Sequence, residues 1–441
     1  MKDLQVLGYP QRPWVLPRSN QNGNPILDVL IVGAGQSGLA IASALKRERV
    51  DNILVIDENP RGQAGPWRTF ARMPTLRTPK YVTGLDLGIP SLTFEAWLGE
   101  EKFSELKFIP TEMWAQYLDW YRDALQIPLQ HNTEAGTIQW RDDERCFVVN
   151  NFFARKIVLA TGIDGCGKWN IPKLISVHIP KEFYAHTREQ INFDQLKKKS
   201  IAVLGAGASS FDNGVMALEH GCHDVHVYYR RDSLPNVNPY RWTEFVGFLN
   251  HHSDLSDADK WRFIKKIIDM GQLPPHDTFA RAKKYENFYL HASSPWLDVR
   301  QDKDRILIRT PQGEFEHDFI IVGTGFKTDL SLRSELSLIQ SHIARWQDRF
   351  TPSDPQDDLL QHPYLGAHFE FQEKSPGMTP WISSIFCYTF GGLLSHGFSG
   401  GSISGLKYSL PKLISGITSQ LYRDDLELHY RSLCEFDLKE Y

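Results

Sequence analysis

Three glycines at positions 33, 35 and 38 stand between an apolar segment and a helix-forming segment. In this spacing the first glycine allows a tight turn, the second lets a pyrophosphate approach the backbone, and the third permits close helix packing. Asp57 follows 19 residues after Gly38, at the end of the next apolar run, where a carboxylate accepts hydrogen bonds from a ribose. The pattern predicts a dinucleotide site with five contact residues: Gly33, Gly35, Ser37, Gly38 and Asp57.

A second turn of the same kind occurs in VLGAGASSFDNG, residues 203–214. Gly205 and Gly207 occupy the first two glycine positions, and Ser209 and Ser210 offer small side chains and hydroxyls for a phosphate. The following apolar run ends in Arg230 and Arg231 instead of an acid. Guanidinium groups bind a 2′-phosphate that a carboxylate would repel, so this turn predicts NADPH in preference to NADH.

Two dinucleotide sites in one chain suit electron transfer between two cofactors. We expect the site with the acid to hold FAD and the site with the arginines to hold NADPH, which delivers hydride to the flavin.

The elements around these turns predict an α/β fold with two Rossmann-like units. Residues 26–32 and 53–56 read as parallel strands around a helix at 40–45, and residues 201–204 and 225–229 flank a helix that ends near residue 220. Apolar runs that end at ATG (160–162) and GTGF (323–326) give each turn its own return strand. Residues 235–291, rich in aromatic and charged side chains, are interpreted as a helical lid or substrate-facing insertion.

Composition narrows the class of protein. A net charge of −4 makes nucleic acid an unlikely partner for this chain of 441 residues. Five cysteines without a C-x-x-C pair, and an amino terminus without the apolar core of a signal peptide, favour the cytoplasm. The uncharged stretch 381–406 is rich in glycine and serine, so we expect a buried segment near a ligand and no membrane span. No metal site is predicted, because His251, His252 and His276 lack suitably spaced partners.

The sequence resembles the single-component flavoprotein monooxygenases, which include flavin-containing monooxygenases, Baeyer-Villiger monooxygenases and amine N-hydroxylases. The resemblance rests on GAGQSG with Asp57, GPW at 65–67, LRTPK at 76–80, ATG, GAGASS with Arg230, and GTGF. It implies an NADPH domain (181–326) inserted in an FAD domain (1–180 and 327–441). It also implies FAD that is reduced by NADPH and then inserts one oxygen atom from O2 into a small substrate through a C4a-peroxyflavin.

The resemblance adds further candidate contacts to those of the two turns. Its cofactor contacts are Gln63, Trp67, Thr78, Gly325, Gly400, Gly401 and Ser402, and Lys80 and His396 are weak catalytic candidates. The Baeyer-Villiger fingerprint is incomplete: His186 is well placed, but Pro180, Glu182 and Gln190 stand where that pattern has other residues. Hydroxylation of nitrogen or of a heterocycle, such as a purine like urate, therefore remains open, and the oligomeric state is not predicted.

Two other functions stay open from the residues. One is a flavin oxidoreductase that passes electrons from NADPH to another acceptor, although the absence of C-x-x-C disfavours a disulfide reductase. The other is a non-catalytic flavoprotein that senses redox state.

Overall fold

The computed structural model of the protein describes Asp3 and residues 13–82, 84–398 and 400–441. Residues 1, 2 and 4–12 of the stretch in which we expect no export signal lie outside the described residues. Two mainly parallel sheets dominate the described chain, as predicted, and a three-stranded antiparallel sheet and a two-stranded ribbon accompany them.

The strands are numbered in chain order. They are β1 Arg18–Ser19, β2 Pro25–Val32, β3 Ile53–Ile56, β4 Leu129–Gln130, β5 Gln139–Arg141, β6 Cys146–Val149, β7 Phe152–Leu159, β8 Gly167–Trp169, β9 Tyr184–His186, β10 Ser200–Leu204, β11 Asp224–Tyr228, β12 Phe288–His291, β13 Asp298–Asp302, β14 Arg305–Thr310, β15 Gly313–His317, β16 Phe319–Val322, β17 Phe326–Thr328 and β18 Ile385–Cys387.

The α-helices are numbered in the same way. They are α1 Gln36–Arg47, α2 Phe94–Leu98, α3 Glu100–Glu105, α4 Thr111–Ala124, α5 Lys173–Ser176, α6 Ala208–Glu219, α7 Pro239–Trp242, α8 Val246–His251, α9 Asp257–Met270, α10 His276–Ala282, α11 Asp357–Leu360, α12 Leu393–His396, α13 Leu406–Asp424 and α14 Leu426–Cys434.

The first sheet has the strand order β4-β3-β2-β7-β6-β5, and β1 and β18 pair with β2 and β7. Its central strands β2 and β7 are mostly apolar, apart from Asp28, Arg155 and Lys156, because α1 and other segments cover both faces, as in a doubly wound sheet. Strand β18 comes from the carboxyl-terminal part of the chain and pairs in parallel with β7. The first sheet is therefore completed by residues that follow the whole second sheet in sequence.

The second sheet has the strand order β12-β11-β10-β16-β9. The two sheets have the same local strand order. In the first sheet β2, which leads into the glycine turn, lies between β3 and the return strand β7, and in the second sheet β10 lies between β11 and the return strand β16. The predicted α/β class with two Rossmann-type units is confirmed. The boundaries near residues 180 and 326 stay predictions.

The insertion predicted at 235–291 needs a correction. Residues 239–282 form the short helices α7 to α10, but Phe288–His291 is strand β12, which pairs in parallel with β11 at the edge of the second sheet. Its adjacent aromatic residues Phe288 and Tyr289 favour an extended strand. The helical part packs against the carboxyl-terminal segment through a cluster that includes Phe248, Trp261 and Leu394.

The uncharged stretch 381–406 is broken into short elements, β18 and α12 among them. Among the described helices, none has both the length and the apolar character needed to cross a bilayer.

A buried ion cluster fastens the end of helix α13 to the first sheet. The Arg155 guanidinium on β7 lies 3.4 Å from an Asp28 oxygen and 3.0 Å from an Asp425 oxygen, and all three side chains are at most 4% exposed. Lys156 pairs with Asp424 at 3.1 Å. Burial raises the pKa of Asp28 to about 6, in opposition to the attraction of Arg155. A charge left unpaired here would therefore be costly.

We expect Arg155→Met to lower the free energy of unfolding by about 3–5 kcal/mol, because Asp28 and Asp425 would lose their buried counter-ion. Urea unfolding followed by circular dichroism measures this change. Arg300→Met is the control, since Arg300 pairs with Glu314 at 3.0 Å on an exposed surface, and it should cost less than about 1 kcal/mol. Equal effects of the two substitutions would contradict this account of the cluster.

Candidate functional site

Both glycine turns lie at the carboxyl ends of the central strands, and both are pressed against a return strand. Gly33 has φ +103° and Gly205 has φ +102°, a conformation that favours glycine. A Cβ on Gly33 would lie 2.5 Å from the Ala160 carbonyl oxygen, and a Cβ on Gly205 would lie 2.5 Å from the Gly323 carbonyl oxygen. The first glycine of each turn is therefore required by the ATG or GTG segment behind it.

The helix after each turn presents an uncapped amino terminus. Helix α1 begins after Gly35 and α6 after Gly207; no side chain caps either helix, and neither first turn contains an acid. The first N–H groups of a helix have no partner within the helix and carry partial positive charge. Each turn can therefore receive an anionic phosphate.

Asp57 is buried beside the first turn. Its Oδ2 accepts a hydrogen bond from the Ala34 N–H at 2.7 Å, and its Oδ1 accepts from the Asn59 N–H at 2.9 Å. The carboxylate thus fixes the turn and keeps lone pairs for a ribose hydroxyl. Ser37 is half-buried in the first turn of α1, and a Cβ on Gly38 would lie 1.9 Å from the Gly33 carbonyl oxygen.

The residues around the first turn fit the predicted FAD. Among the described residues around this turn, three buried side-chain atoms lack a hydrogen-bond partner: Gln36 Oε1, Trp67 Nε1 and Thr161 Oγ1. They lie on α1, on the GPW segment and on the ATG segment, where a bound dinucleotide could supply partners. Trp67 also packs edge-on against Trp114, with ring centroids 6.4 Å apart, and Gln63 is exposed.

In the second turn the two serines have different roles. Ser209 is exposed in the first turn of α6 and can still meet a phosphate. Ser210 is fully buried, and its hydroxyl donates to the Gly323 carbonyl at 3.3 Å. Its side chain fills the helix-packing position of the third glycine, as expected for a small residue, and its contact with a phosphate stays a prediction.

The two arginines after β11 also differ. Arg230 is exposed and lies two residues beyond the end of β11. Arg231 donates to the Asp269 and Met270 carbonyls at 3.1 and 3.3 Å, so its guanidinium caps the end of α9. Arg230 is therefore the better candidate for a 2′-phosphate, and the cofactor contact of Arg231, whose guanidinium supports α9, stays a prediction.

A pair that sequence reasoning missed connects the two units. Arg77 of the LRTPK segment lies 2.6 Å from Asp212 on α6, whose other carboxylate oxygen accepts from Thr278 at 2.7 Å. Thr78 is half-buried next to this ion pair. Arg77 lies 135 residues from Asp212, so no local pattern could have indicated the contact.

Both catalytic candidates have structural surroundings instead. The Lys80 ammonium donates to the Phe103 and Ser104 carbonyls at 2.7 and 3.3 Å, near the end of α3. The His396 ring stacks on Phe369 with centroids 3.7 Å apart, and its Nε2 lies 2.9 Å from the Gly366 carbonyl oxygen. Burial lowers the pKa of His396 to about 3. These contacts give both residues structural roles in the described chain, and their candidacy as catalytic residues stays a prediction.

Gly325 lies at the junction between the two sheets. Its carbonyl accepts from the Asn170 N–H at 2.9 Å and from His186 Nε2 at 3.1 Å, while His186 Nδ1 accepts from the Arg188 N–H at 3.1 Å. Burial lowers the pKa of His186 to about 4, so its ring is neutral at pH 7. This histidine holds the junction together, and the cofactor contact predicted for Gly325 stays a prediction.

In the glycine-rich segment before α13, some main-chain N–H groups donate hydrogen bonds to a carbonyl within the segment. The N–H groups of Gly401 and Ser402 both donate to the Phe398 carbonyl, at 3.3 and 3.1 Å. These two donors already have a main-chain partner, and their predicted contact with a flavin stays a prediction. Gly400 is buried against Phe369 and Thr389, and its role stays a prediction.

The fold also joins two cysteines that are 221 residues apart. The Sγ atoms of Cys166 and Cys387 lie 3.2 Å apart in the buried interior, each within 3.3 Å of Thr389 Oγ1. The sequence indicated no dithiol at close spacing, and this pair arises only from the pairing of β18 with the ATG strand.

Comparison with known proteins agrees with this geometry. A family model described as pyridine nucleotide-disulphide oxidoreductase matches residues 30–252. An FAD-dependent urate hydroxylase from Xanthomonas campestris pv. campestris is 42% identical over 450 residues, which cover 100% of this chain and 95% of that protein.

Solved structures share the fold at low identity. The FAD-bound cadaverine monooxygenase of desferrioxamine biosynthesis from Erwinia amylovora has a TM-score of 0.67 at 17% identity, covering 90% of this chain and 95% of that one. Ornithine hydroxylase from Pseudomonas aeruginosa has a TM-score of 0.69 at 15% identity, covering 90% of this chain and 100% of that one.

We expect Asp57→Asn to weaken retention of the predicted FAD roughly tenfold or more, because hydrogen bonds to a charged group contribute about 1.5–3 kcal/mol. Visible flavin absorbance after dialysis, relative to protein absorbance, measures the retained cofactor. Asp51→Asn is the control, because Asp51 is exposed just before β3, the strand that Asp57 follows. This variant should leave flavin retention unchanged. Equal flavin content in both variants would argue against the ribose contact.

Proposed function

The chain belongs to the pyridine nucleotide-disulphide oxidoreductase family and is an FAD-dependent monooxygenase that uses NADPH, and we propose that it hydroxylates a purine-type heterocycle such as urate. The observation that carries the substrate is the 42% identity to a urate hydroxylase, which extends over the whole chain. The amine hydroxylases are at most 17% identical and support the fold alone.

When bound, FAD accepts hydride from NADPH and its reduced ring then activates O2 for transfer of one oxygen atom to the substrate. In the proposal, Asp57 binds the ribose of FAD and the amino terminus of α1 receives its pyrophosphate. The unpartnered Thr161 hydroxyl and Trp67 indole N–H are available to hydrogen-bond the cofactor. These groups position the cofactor and exclude water from it.

The chain's part in NADPH binding is proposed for the turn of the second sheet. Gly205, Gly207 and Ser209 would receive the pyrophosphate at the amino terminus of α6, and Arg230 would bind the 2′-phosphate. The ion pair between Arg77 and Asp212 fastens this helix to the LRTPK segment, at 2.6 Å. A fixed orientation of the two units is what hydride transfer between two cofactors requires.

We further propose a cytoplasmic enzyme whose partners are the small substrate and O2, without nucleic acid. Residues 1–180 and 327–441 would form the FAD domain, and residues 181–326 the NADPH domain. An oxidoreductase with another electron acceptor, or a redox sensor, would use the same pair of nucleotide sites, so labelled oxygen must decide between them.

We expect urate to stimulate NADPH oxidation by the purified protein, and isotope-labelled O2 to leave one labelled oxygen atom in the product. Mass spectrometry of the product and the rate of NADPH oxidation give the two readouts. Ornithine and lysine serve as comparison substrates and should leave the rate at its basal value. Stimulation by an amine without stimulation by urate would overturn the assignment of the substrate.

Arg230→Ala should raise the KM for NADPH about tenfold or more while leaving the KM for NADH nearly unchanged, because a charge-assisted contact contributes about 1.5–3 kcal/mol. Steady-state kinetics with each cofactor measures the ratio. Arg231→Ala is the matched control, since its guanidinium donates to carbonyls of α9, and it should not change the preference. A parallel rise for both cofactors in Arg230→Ala would contradict a 2′-phosphate contact.

A further inference from the structure

A cluster of histidines and a carboxylate lies at the amino-terminal edge of the second sheet, opposite the NADPH turn. Asp224 and His226 are two residues apart on β11, so their side chains lie on the same face of the sheet. His317 ends β15 and Ser200 begins β10, directly paired with Asp224. This edge borders a cavity of about 480 Å³. The five residues of β11 separate this edge from the end of the sheet that carries the nucleotide turn by about 17 Å.

Three potential ligand atoms converge in this cluster. One atom from each of Asp224, His226 and His317 lies within 4.8 Å of the other two. His226 Nε2 is 3.5 Å from Asp224 Oδ1, and the Ser200 hydroxyl lies 2.5 Å from Asp224 Oδ1 and 2.9 Å from His317 Nδ1. A zinc ion with bonds of about 2.0–2.2 Å holds tetrahedral ligands at such separations after small side-chain shifts.

The outer nitrogen of each imidazole has its own partner. His226 Nδ1 lies 2.9 Å from His291 Nε2, and His317 Nε2 lies 2.8 Å from the Tyr228 hydroxyl. When the outer N–H donates to these partners, the lone pair of His226 Nε2 lies towards Asp224 Oδ1, and that of His317 Nδ1 lies towards the Ser200 hydroxyl, which also contacts Asp224 Oδ1. Metal-binding histidines are characteristically oriented by such an outer hydrogen bond.

The cavity beside the cluster is bordered by Lys198 and by three carboxylates, those of Asp224, Glu316 and Asp318. Arg305 borders the cavity, but its guanidinium is engaged by Glu316 at 2.7 Å and by Asp318. The Asp224 side chain is 18% exposed, so a metal ion would keep access to the cavity and a position for water.

We propose that Asp224, His226 and His317 form a binding site for a divalent transition-metal ion such as Zn²⁺, with a fourth position open to the cavity. Two imidazoles and one carboxylate are the donor set that such ions accept. Because β11 and β15 contribute ligands from distant parts of the chain, the ion braces the NADPH-binding unit. The site is independent of the oxygen-transfer chemistry, so its test does not depend on turnover.

The test uses the full-length protein, freed of metal with a chelator and then supplied with Zn²⁺ alone. We expect one equivalent of zinc to stay with the protein through gel filtration, measured by elemental analysis, and to raise the midpoint of thermal unfolding. Co²⁺ in place of Zn²⁺ should give the visible absorption bands of a low-coordinate nitrogen and oxygen site.

His226→Gln should abolish the retained equivalent and the thermal shift while leaving flavin content unchanged. His251→Gln is the matched control, because His251 forms an exposed pair with Asp254 at 2.9 Å, the kind of site that binds zinc adventitiously. Loss of zinc in this control and not in His226→Gln would overturn the proposal, as would wild-type protein that releases all of its zinc.

Tyr228→Phe provides a second test that keeps all three ligands. Removal of the outer partner of His317 should weaken zinc retention about 10- to 100-fold, as is typical of such partners. Unchanged zinc affinity in a folded Tyr228→Phe protein, together with unchanged retention in His226→Gln, would show that the cluster is only a hydrogen-bonded network.

Discussion

The contact between each glycine turn and the carbonyl behind it is the constraint on which both nucleotide sites depend. The Cα of Gly33 lies against the Ala160 carbonyl, and the Cα of Gly205 lies against the Gly323 carbonyl. Each gap accommodates a hydrogen atom but would not accommodate a Cβ. This close approach lets the return strand pair next to the turn's strand while the helix amino terminus stays open. The same arrangement occurs in both sheets, so one chain can hold two dinucleotides.

The relative placement of the two units depends on a few contacts from segments distant in sequence. Arg77 reaches Asp212 on α6, and Arg188 lies over the ring of Phe70 at 3.9 Å. The buried, neutral His186 donates a hydrogen bond to the carbonyl of Gly325, which lies at the junction between the two sheets. These contacts are polar and directional, which suits a junction that must hold two reacting cofactors in a fixed relative orientation.

The buried histidines near the candidate site are poor proton carriers. Burial lowers the pKa of His186 to about 4 and that of His396 to about 3, so neither ring changes charge near neutral pH. Lys80 is engaged with main-chain carbonyls. The contacts of these described residues are structural, which is consistent with an enzyme whose cofactors carry the reaction while the protein positions them and excludes water.

The sequence alone determined the features that depend on local geometry. Glycine spacing, apolar runs and the residue that ends each following strand indicated both turns, both Rossmann-type units and the difference between an acid and an arginine site. Tertiary structure decided whatever depends on distant partners: Ser210 faces Gly323, Arg231 caps α9, Lys80 binds carbonyls of α3, and β12 joins the second sheet. The cluster of Asp224, His226 and His317 belongs to this second group, since two ligands are neighbours on β11 and the third is 91 residues further along the chain than His226. Local pattern reports which conformation a segment favours, whereas the partner of a side chain is fixed only when distant strands pair and pack.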